Sequence, residues 1–125
     1  MKDLKNNLGV APSIAPAART ASVNGSGVDL ATYEGAMVVF LPGTITDGTH
    51  TPKIQESADN SDFTDVAAAD LEGSLVALVT DTPQRVGYKG SKRYIRAVVA
   101  VAGATTGGVY GAAVVRGFAR HNPVA

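Results

Sequence analysis

Two histidines are the residues most able to bind a metal or move a proton near neutral pH. His50 lies in a loop-like stretch and His121 lies near the end of the chain, and neither has a second histidine at ligand spacing. A zinc site needs three or four converging donors, and the chain has no cysteine to supply a thiolate. These spacings predict two ordinary surface histidines and no metal or other cofactor.

The serines do not form a recognisable nucleophile motif. Gly25-Ser26-Gly27 matches only part of the G-x-S-x-G elbow that exposes a catalytic serine. The preceding Asn24 makes a tight turn the simpler interpretation. A Ser-His-Asp triad assembles from residues that are distant in sequence, but nothing in this chain favours one. We therefore expect no enzyme activity.

The stretch from Asp59 to Asp65 offers several carboxylate and amide oxygens, which are the donors that calcium prefers. An EF-hand loop has a glycine at its sixth position and a glutamate at its twelfth, and this stretch has neither. Asp and Asn side chains also accept hydrogen bonds from their own backbone in turns. A turn is the favoured interpretation, and weak calcium binding at 59–65 stays open as the alternative.

Basic residues cluster once, at Lys89, Lys92, Arg93 and Arg96, with Tyr88 and Tyr94 beside them. Such a cluster could hold phosphates while tyrosine stacks on a base. The whole chain, however, has 11 basic and 11 acidic residues, whereas a nucleic-acid binder usually has a basic excess. We therefore expect a protein contact and no nucleic acid, made by Arg85, Tyr88, Lys92, Arg93, Tyr94 and Arg96.

The composition describes one small domain without a membrane segment. The chain has 125 residues, which is the usual size of a single domain. Its polar start at 1–7 is unlike a signal peptide, and apolar runs such as 97–102 are far shorter than the roughly 20 residues that span a bilayer. We expect a soluble protein made in the cytosol. Its charged fraction of only 18% favours protein partners.

Turn residues divide the body of the chain into short strand-like segments. Asn24-Gly25-Ser26-Gly27 indicates a hairpin or turn, and the apolar run 36–41, closed by Pro42-Gly43, indicates a buried strand. Residues 85–89 alternate between polar and apolar, as a half-buried strand does. The strongest strand spans 93–102, with one face formed by Ile95, Ala97, Val99 and Val101.

Together with a last strand over 109–115, these segments predict an all-β fold, a single antiparallel β-sandwich of about seven to eight strands. The segment 65–80 leaves two alternatives open. Its leucines fall near helical spacing, but Gly73 argues against a long helix. Either one continuous helix forms, or a short helix or turn over 67–71 precedes a strand near 75–79.

The two ends of the chain differ from the body. Residues 1–18 contain Pro12 and Pro16 among small residues, which predicts an extended N-terminal arm. The arm could lie across a neighbouring subunit or add a strand to its sheet, with contacts from Pro12, Ile14 and Pro16. The sandwich is predicted over 19–117, and 118–125 is predicted to be a loose tail.

Three segments of the body together form a recurrent sequence pattern. They are Lys53-Ile54-Gln55-Glu56-Ser57 with the acidic turn and Phe63-Thr64-Asp65-Val66, then Gln84-Arg85-Val86-Gly87-Tyr88, then Lys92-Arg93-Tyr94-Ile95-Arg96. Over roughly 28–115 the pattern resembles small structural proteins encoded among the head and neck genes of tailed bacteriophages. The resemblance implies a β-sandwich component of the virion, such as a capsid decoration (cement) protein, and no catalytic residues.

The resemblance and the composition together lead to one main expectation and two alternatives. The main expectation is a decoration protein in the virion, made in the host cytoplasm, which binds the major capsid protein and stabilises the shell. It is expected to be a homo-oligomer, with a trimer favoured for sites of local threefold symmetry. The first alternative is a head–tail neck, tail or fibre component. The second, a carbohydrate-binding module, is disfavoured because the chain has no tryptophan and only 6% aromatic residues.

Overall fold

Strands account for most of the computed structural model, which describes residues 3–119. The described residues contain ten strands: β1 (Gly9–Arg19), β2 (Val23–Asn24), β3 (Val28–Asp29), β4 (Tyr33–Ile45), β5 (Thr49–Ser57), β6 (Thr64–Asp65), β7 (Leu71–Glu72), β8 (Gln84–Tyr88), β9 (Tyr94–Ala102) and β10 (Gly108–Ala119). A single turn of 3-10 helix, Ala68–Asp70, precedes β7. No helix within 3–119 is long and apolar enough to cross a membrane.

The strands form two antiparallel sheets of five strands each. The first sheet has the order β1-β10-β4-β8-β7, and the second has the order β2-β9-β5-β6, with β3 also paired to β9. The prediction of an all-β antiparallel sandwich is therefore confirmed. The described strands outnumber the seven or eight expected because β2, β3, β6 and β7 are only two residues long, too short to show a periodic pattern.

The core lies between the two sheets and follows from the period of two along each long strand. In the first sheet, Val38 and Phe40 of β4 and Val114 of β10 are fully buried. In the second sheet, Ile95, Ala97 and Val99 of β9 face them, as predicted, while Val101 is half-buried. Val86 and Tyr88 are buried on β8, which confirms the alternation predicted there.

The N-terminal segment is the largest departure from the sequence prediction. Within the predicted arm over 1–18, the residues from Gly9 onward belong to β1, which pairs antiparallel with β10 and forms an edge of the first sheet. An edge strand tolerates Pro12 and Pro16 because one side of it donates no ladder hydrogen bonds, and the register shifts on either side of Ile14. The segment is extended, as expected, but it is a strand of the sandwich.

Two boundaries predicted from turn residues also differ. Pro42-Gly43 does not end the strand, because β4 continues to Ile45. At the other end, β10 continues to Ala119, two residues into the predicted tail over 118–125, whose remaining residues lie outside those that the structure describes.

The stretch Asn24-Gly25-Ser26-Gly27 does not form a hairpin. The strands on its two sides both pair with β9, with Val23 opposite Val99 and Val28 opposite Ile95. The Gly25 amide donates to the Ala97 carbonyl over 2.7 Å. A Cβ at Gly25 would lie within 2.6 Å of that carbonyl oxygen, so only glycine fits this approach.

The segment 65–80 matches the second alternative only at its start. The 3-10 turn over Ala68–Asp70 forms where a short helix or turn was expected, but no strand forms over 75–79. Instead Leu78 is buried in the core, and its amide donates to the His50 carbonyl over 2.8 Å. Leu71 and Leu75 also pack against the core, so the near-helical spacing of these leucines reflects contacts with the core and not a helix.

Candidate functional site

The six residues of the predicted basic contact do not form one surface. Arg85 lies on β8 of the first sheet, next to the inward-facing Val86, and is exposed on the outside of that sheet. Arg96 lies on β9 of the second sheet, opposite Gln55, with the inward-facing Ala97 beside it. Arg85 and Arg96 therefore point away from opposite faces of the sandwich, so the residues predicted for the contact do not all lie on one surface.

Two of the arginines are neutralised or shielded by partners in the same chain. Arg93 makes two hydrogen bonds to the Asp29 carboxylate, at 2.9 Å from Nε to Oδ1 and 2.8 Å from Nη2 to Oδ2. This bidentate pair lowers the pKa of Asp29. Arg96 donates twice to the Gln55 side-chain oxygen, and its guanidinium lies 4.1 Å from the ring centre of Phe63. Both side chains fix local structure.

The tyrosines of the predicted contact also serve the fold. Tyr88 is buried, its hydroxyl donates to Glu56 Oε1 over 2.7 Å, and the same hydroxyl accepts from the Lys92 amide over 3.0 Å. Burial, with the hydrogen bond to Glu56, raises the pKa of Tyr88. Tyr94 is half-buried, with the Arg93 guanidinium 5.2 Å from its ring centre. Of this group, Arg85 and Lys92 have exposed side chains that make no hydrogen bond or ion pair with the described residues.

The three residues predicted for the arm divide between the core and the surface. Ile14 is only 2% exposed and belongs to the core, so it cannot contact a partner. Pro12 and Pro16 are exposed. A Cβ at Gly111 of β10 would meet the Pro16 ring at 3.0 Å, which places Pro16 over the outer side of the first sheet.

The outer side of the first sheet is an apolar surface that the sequence prediction included only through Pro12 and Pro16. Its outward positions alternate with buried residues such as Val38 and Val114, and the strand pairing aligns them in rows. We call this surface the apolar face and define it by Val10, Pro12, Pro16, Met37, Val39, Leu41, Val109, Ala113 and Val115, with Gly35, Gly43, Gly87, Gly111 and Gly117 between them.

The apolar face carries no charge on its two central strands. The outward positions of β4 over 35–43 and of β10 over 109–117 are all Gly, Ala, Val, Leu or Met. Charge appears only toward β7, where Arg85 lies opposite Val39 and Glu72 lies opposite Gly87. Glu72 is itself paired with Lys89 at 3.4 Å. Three side chains of this surface, Val10, Leu41 and Val109, are 67%, 56% and 44% exposed.

The outside of the second sheet is mainly polar. Its outward positions on β5 are Thr49, Thr51, Lys53 and Gln55, which lie opposite Ala102, Ala100, Val98 and Arg96 of β9. Lys53 forms an ion pair with Asp65 at 3.2 Å. The two outer faces of one sandwich therefore differ: one combines charged and polar side chains with three small apolar ones, and the other has no charge on its two central strands.

Two depressions lie on the apolar face. A groove of about 170 Å³ runs over Gly111 and Ala113 of β10, between Pro12 and Pro16 on one side and Leu41 on the other. A second hollow of about 310 Å³ lies over Gly35, Gly87 and Gly117, with walls that include Leu8, Met37 and Phe118. Phe118 is 80% exposed. The face is ridged where Met37, Val39 and Leu41 of β4 lie beside the smaller Val115, Ala113 and Gly111 of β10, and the order of sizes reverses where Val109 lies beside Gly43.

His50 is not the surface residue that the sequence predicted. Its side chain is fully buried, with Nδ1 3.0 Å from the Tyr110 hydroxyl and Nε2 3.0 Å from the Asp47 carbonyl oxygen. Because a carbonyl oxygen only accepts, Nε2 carries the proton and Nδ1 accepts from Tyr110. Both ring nitrogens are thus occupied within the core. His121 lies outside the described residues.

The acidic stretch forms the turn that was favoured. Asp59 Oδ1 accepts from the amides of Ser61 and Asp62, each at 2.9 Å, and from the Ser57 hydroxyl at 2.8 Å. These bonds, the one from Asp62 first, lower the pKa of Asp59 to about 2. Within residues 3–119 no three side chains of the metal-binding types are grouped to hold an ion.

No model of a known protein family matches this chain, and no curated protein sequence matches it.

Proposed function

We propose that the chain is a structural subunit of a tailed-phage particle, and specifically a decoration protein that binds the outer surface of the capsid shell. The observation that carries this proposal is the apolar face. The resemblance of the body to phage head and neck proteins supplies the biological setting. The major capsid protein is the proposed partner, and the assembled virion is the proposed location.

The size of the apolar face supports a contact with protein in the working state. Four strands spaced by about 4.8 Å and nine residues at about 3.3 Å each span roughly 500 Å². The largest apolar patch that a typical monomeric protein exposes is about 300–600 Å², and such patches are often functional. Covering such an area yields on the order of 10 kcal/mol before the costs of association are subtracted.

The contrast between the two outer faces supports a protein that lies on a surface. The apolar face would contact the shell, while the polar face of the second sheet would remain in water. Edge-strand polar groups near Ser13 are already bonded, since its carbonyl accepts from the Ser26 amide and its hydroxyl donates to the Ser26 carbonyl. Contact through a face is therefore better supported than addition of a strand at this edge.

Binding to purified shells tests the proposal. The full-length protein is expected to bind mature shells in hundreds of copies and to raise the temperature at which they lose integrity. Leu41→Asp puts a charge in the apolar face and should reduce binding at least about tenfold. Thr51→Asp, on the polar face, is the matched control and should bind like the wild type.

Copy number separates the decoration protein from the alternative roles. A few copies confined to one vertex would replace the proposal with a neck or tail component. No binding to shells of any maturation state would refute both the decoration role and its proposed partner.

A further inference from the structure

We propose that in the free protein the apolar face is covered by a second copy of this chain, in a symmetric dimer whose first sheets stack face to face. The inference rests on the proposed function, because both assume that protein covers this face. It goes further by naming a second copy as the occupant before assembly, in a dimer and not in the trimer expected from the sequence. The dimer contact and the shell contact use the same surface, so they exclude each other.

The shape of the apolar face is complementary to that of the same face on a second copy. In register, Leu41 lies opposite Gly111, Val39 opposite Ala113 and Met37 opposite Val115. In each of these three pairs the larger residue is on β4. A twofold axis parallel to the strands, between β4 and β10, places β4 of each copy over β10 of the other. The leucine ridge of one copy then meets the groove over Gly111 of the other.

The same axis also matches the outer strands of the face. It brings β1 of one copy over β8 of the other, so that Val10 lies over Gly87 and Pro12 over Arg85, as the rows of the sheet dictate. The aliphatic part of Arg85 can cover Pro12 while its guanidinium reaches water. Stacked sheets keep their strands within about 30° of each other, so these pairs are closest near the axis.

Charge and area both favour a second copy as the occupant. The central rows over 35–43 and 109–117 carry no charge, so two copies meet without repulsion, and a charged partner would have no counter-charge there. Roughly 500 Å² per copy amounts to about 1,000 Å² in a dimer, which is near the lower limit of a specific interface. The dimer should therefore exchange with monomer, which leaves the face open to the shell.

Light scattering and sedimentation of the full-length protein over a range of concentrations test the dimer. The wild type should show a mass near twice the 12.7 kDa of one chain, falling toward one chain on dilution. Leu41→Asp should raise the dimer dissociation constant at least about tenfold, and Thr51→Asp should leave it unchanged. Circular dichroism of each variant establishes that it is folded.

A size exchange tests the register of the stacked sheets. Ala113→Val alone should overfill its position against Val39 of the second copy and weaken the dimer. Combining it with Val39→Ala restores one large and one small residue in that pair and should recover at least half of the lost affinity. Failure of the double variant to recover affinity would overturn the proposed axis.

Measurements on the wild-type protein distinguish failure of this inference from failure of the proposed function. A protein that stays monomeric at every concentration, or forms three-copy assemblies in solution, would overturn the dimer even if it binds shells. A protein that dimerises through Leu41 but binds no shell would keep the dimer and refute the decoration role. Dimerisation unaffected by Leu41→Asp would also overturn the inference, because the contact would then lie elsewhere.

Discussion

At the scale of single residues, the groups that could do chemistry are used to hold the fold. His50 joins β5 to β10 through Tyr110 and to the turn before it through the Asp47 carbonyl. Asp47 itself accepts from the amides of Thr105, Thr106 and Gly107, with its bond to Gly107 the shortest at 2.6 Å. These hydrogen bonds fix the turns that precede β5 and β10.

Replacing His50 tests its role inside the core. His50→Leu should lower the free energy of unfolding by about 2–4 kcal/mol, because the Tyr110 hydroxyl and the Asp47 carbonyl both lose a buried partner. Tyr110→Phe removes only one of these bonds and should cost about half as much. Urea denaturation measures both, and a His50→Leu variant as stable as the wild type would contradict the buried bonds.

The turn carboxylates predict how stability depends on pH. Hydrogen bonds lower the pKa of Asp59 to about 2 and lower that of Asp47 as well. A carboxyl with a depressed pKa stabilises the fold above its unfolded pKa of about 4. That contribution is lost as the pH falls from about 4 to about 2.

Thermal unfolding between pH 6 and pH 2 measures this loss. The melting temperature of the wild type should fall most steeply below pH 4. Asp59→Asn should melt lower at pH 6 and lose less on acidification, whereas Asp62→Asn, whose carboxylate accepts none of these hydrogen bonds, should follow the wild type. Identical pH profiles for the wild type and Asp59→Asn would count against the carboxylate-bonded turn.

At the scale of elements, the period of two predicted β8 and β9. The alternation at 85–89 and the apolar side of 93–102 both correspond to strands that form. The run 36–41 is apolar on both sides and was expected to be buried on both. The structure buries Val38 and Phe40 but leaves Leu41 exposed. The apolar residues on the second side of this run are therefore the feature of the sequence that corresponds to the apolar face.

Other elements could not be predicted because their partners are distant in sequence. The short strands around 24–27 pair with β9 about 70 residues later, and local turn chemistry carries no information about that choice. Proline suggested an arm over 1–18, yet it is also compatible with an edge strand. The basic residues were grouped because they are close in sequence, whereas alternation directs Arg85 and Arg96 to opposite sides of the sandwich.

A pair of substitutions distinguishes a strand from an arm at the N-terminus. Ile14→Ala should cost about 2–4 kcal/mol of unfolding free energy, because its side chain is 2% exposed in the core. Pro12→Ala, on the exposed side of the same strand, should change stability by less than about 1 kcal/mol. Equal and small effects in chemical denaturation would mean that the segment is not part of the sandwich.

At the scale of the whole molecule, the sandwich presents one polar and one apolar outer face. This asymmetry connects the fold to the proposed role, because a protein that lies on a shell needs one face for the shell and one for water. The polar or apolar character of each face could not be inferred from the composition, because the chain has equal numbers of basic and acidic residues. The asymmetry arises from which side of each strand the core occupies.

Electron cryomicroscopy of shells saturated with the purified protein tests this account most directly. The account predicts added density over the shell surface, with Met37, Val39 and Leu41 of the first sheet facing the capsid and Thr49 and Thr51 of the second sheet facing solvent. Shells without added density, or density in which the second sheet faces the capsid, would contradict it.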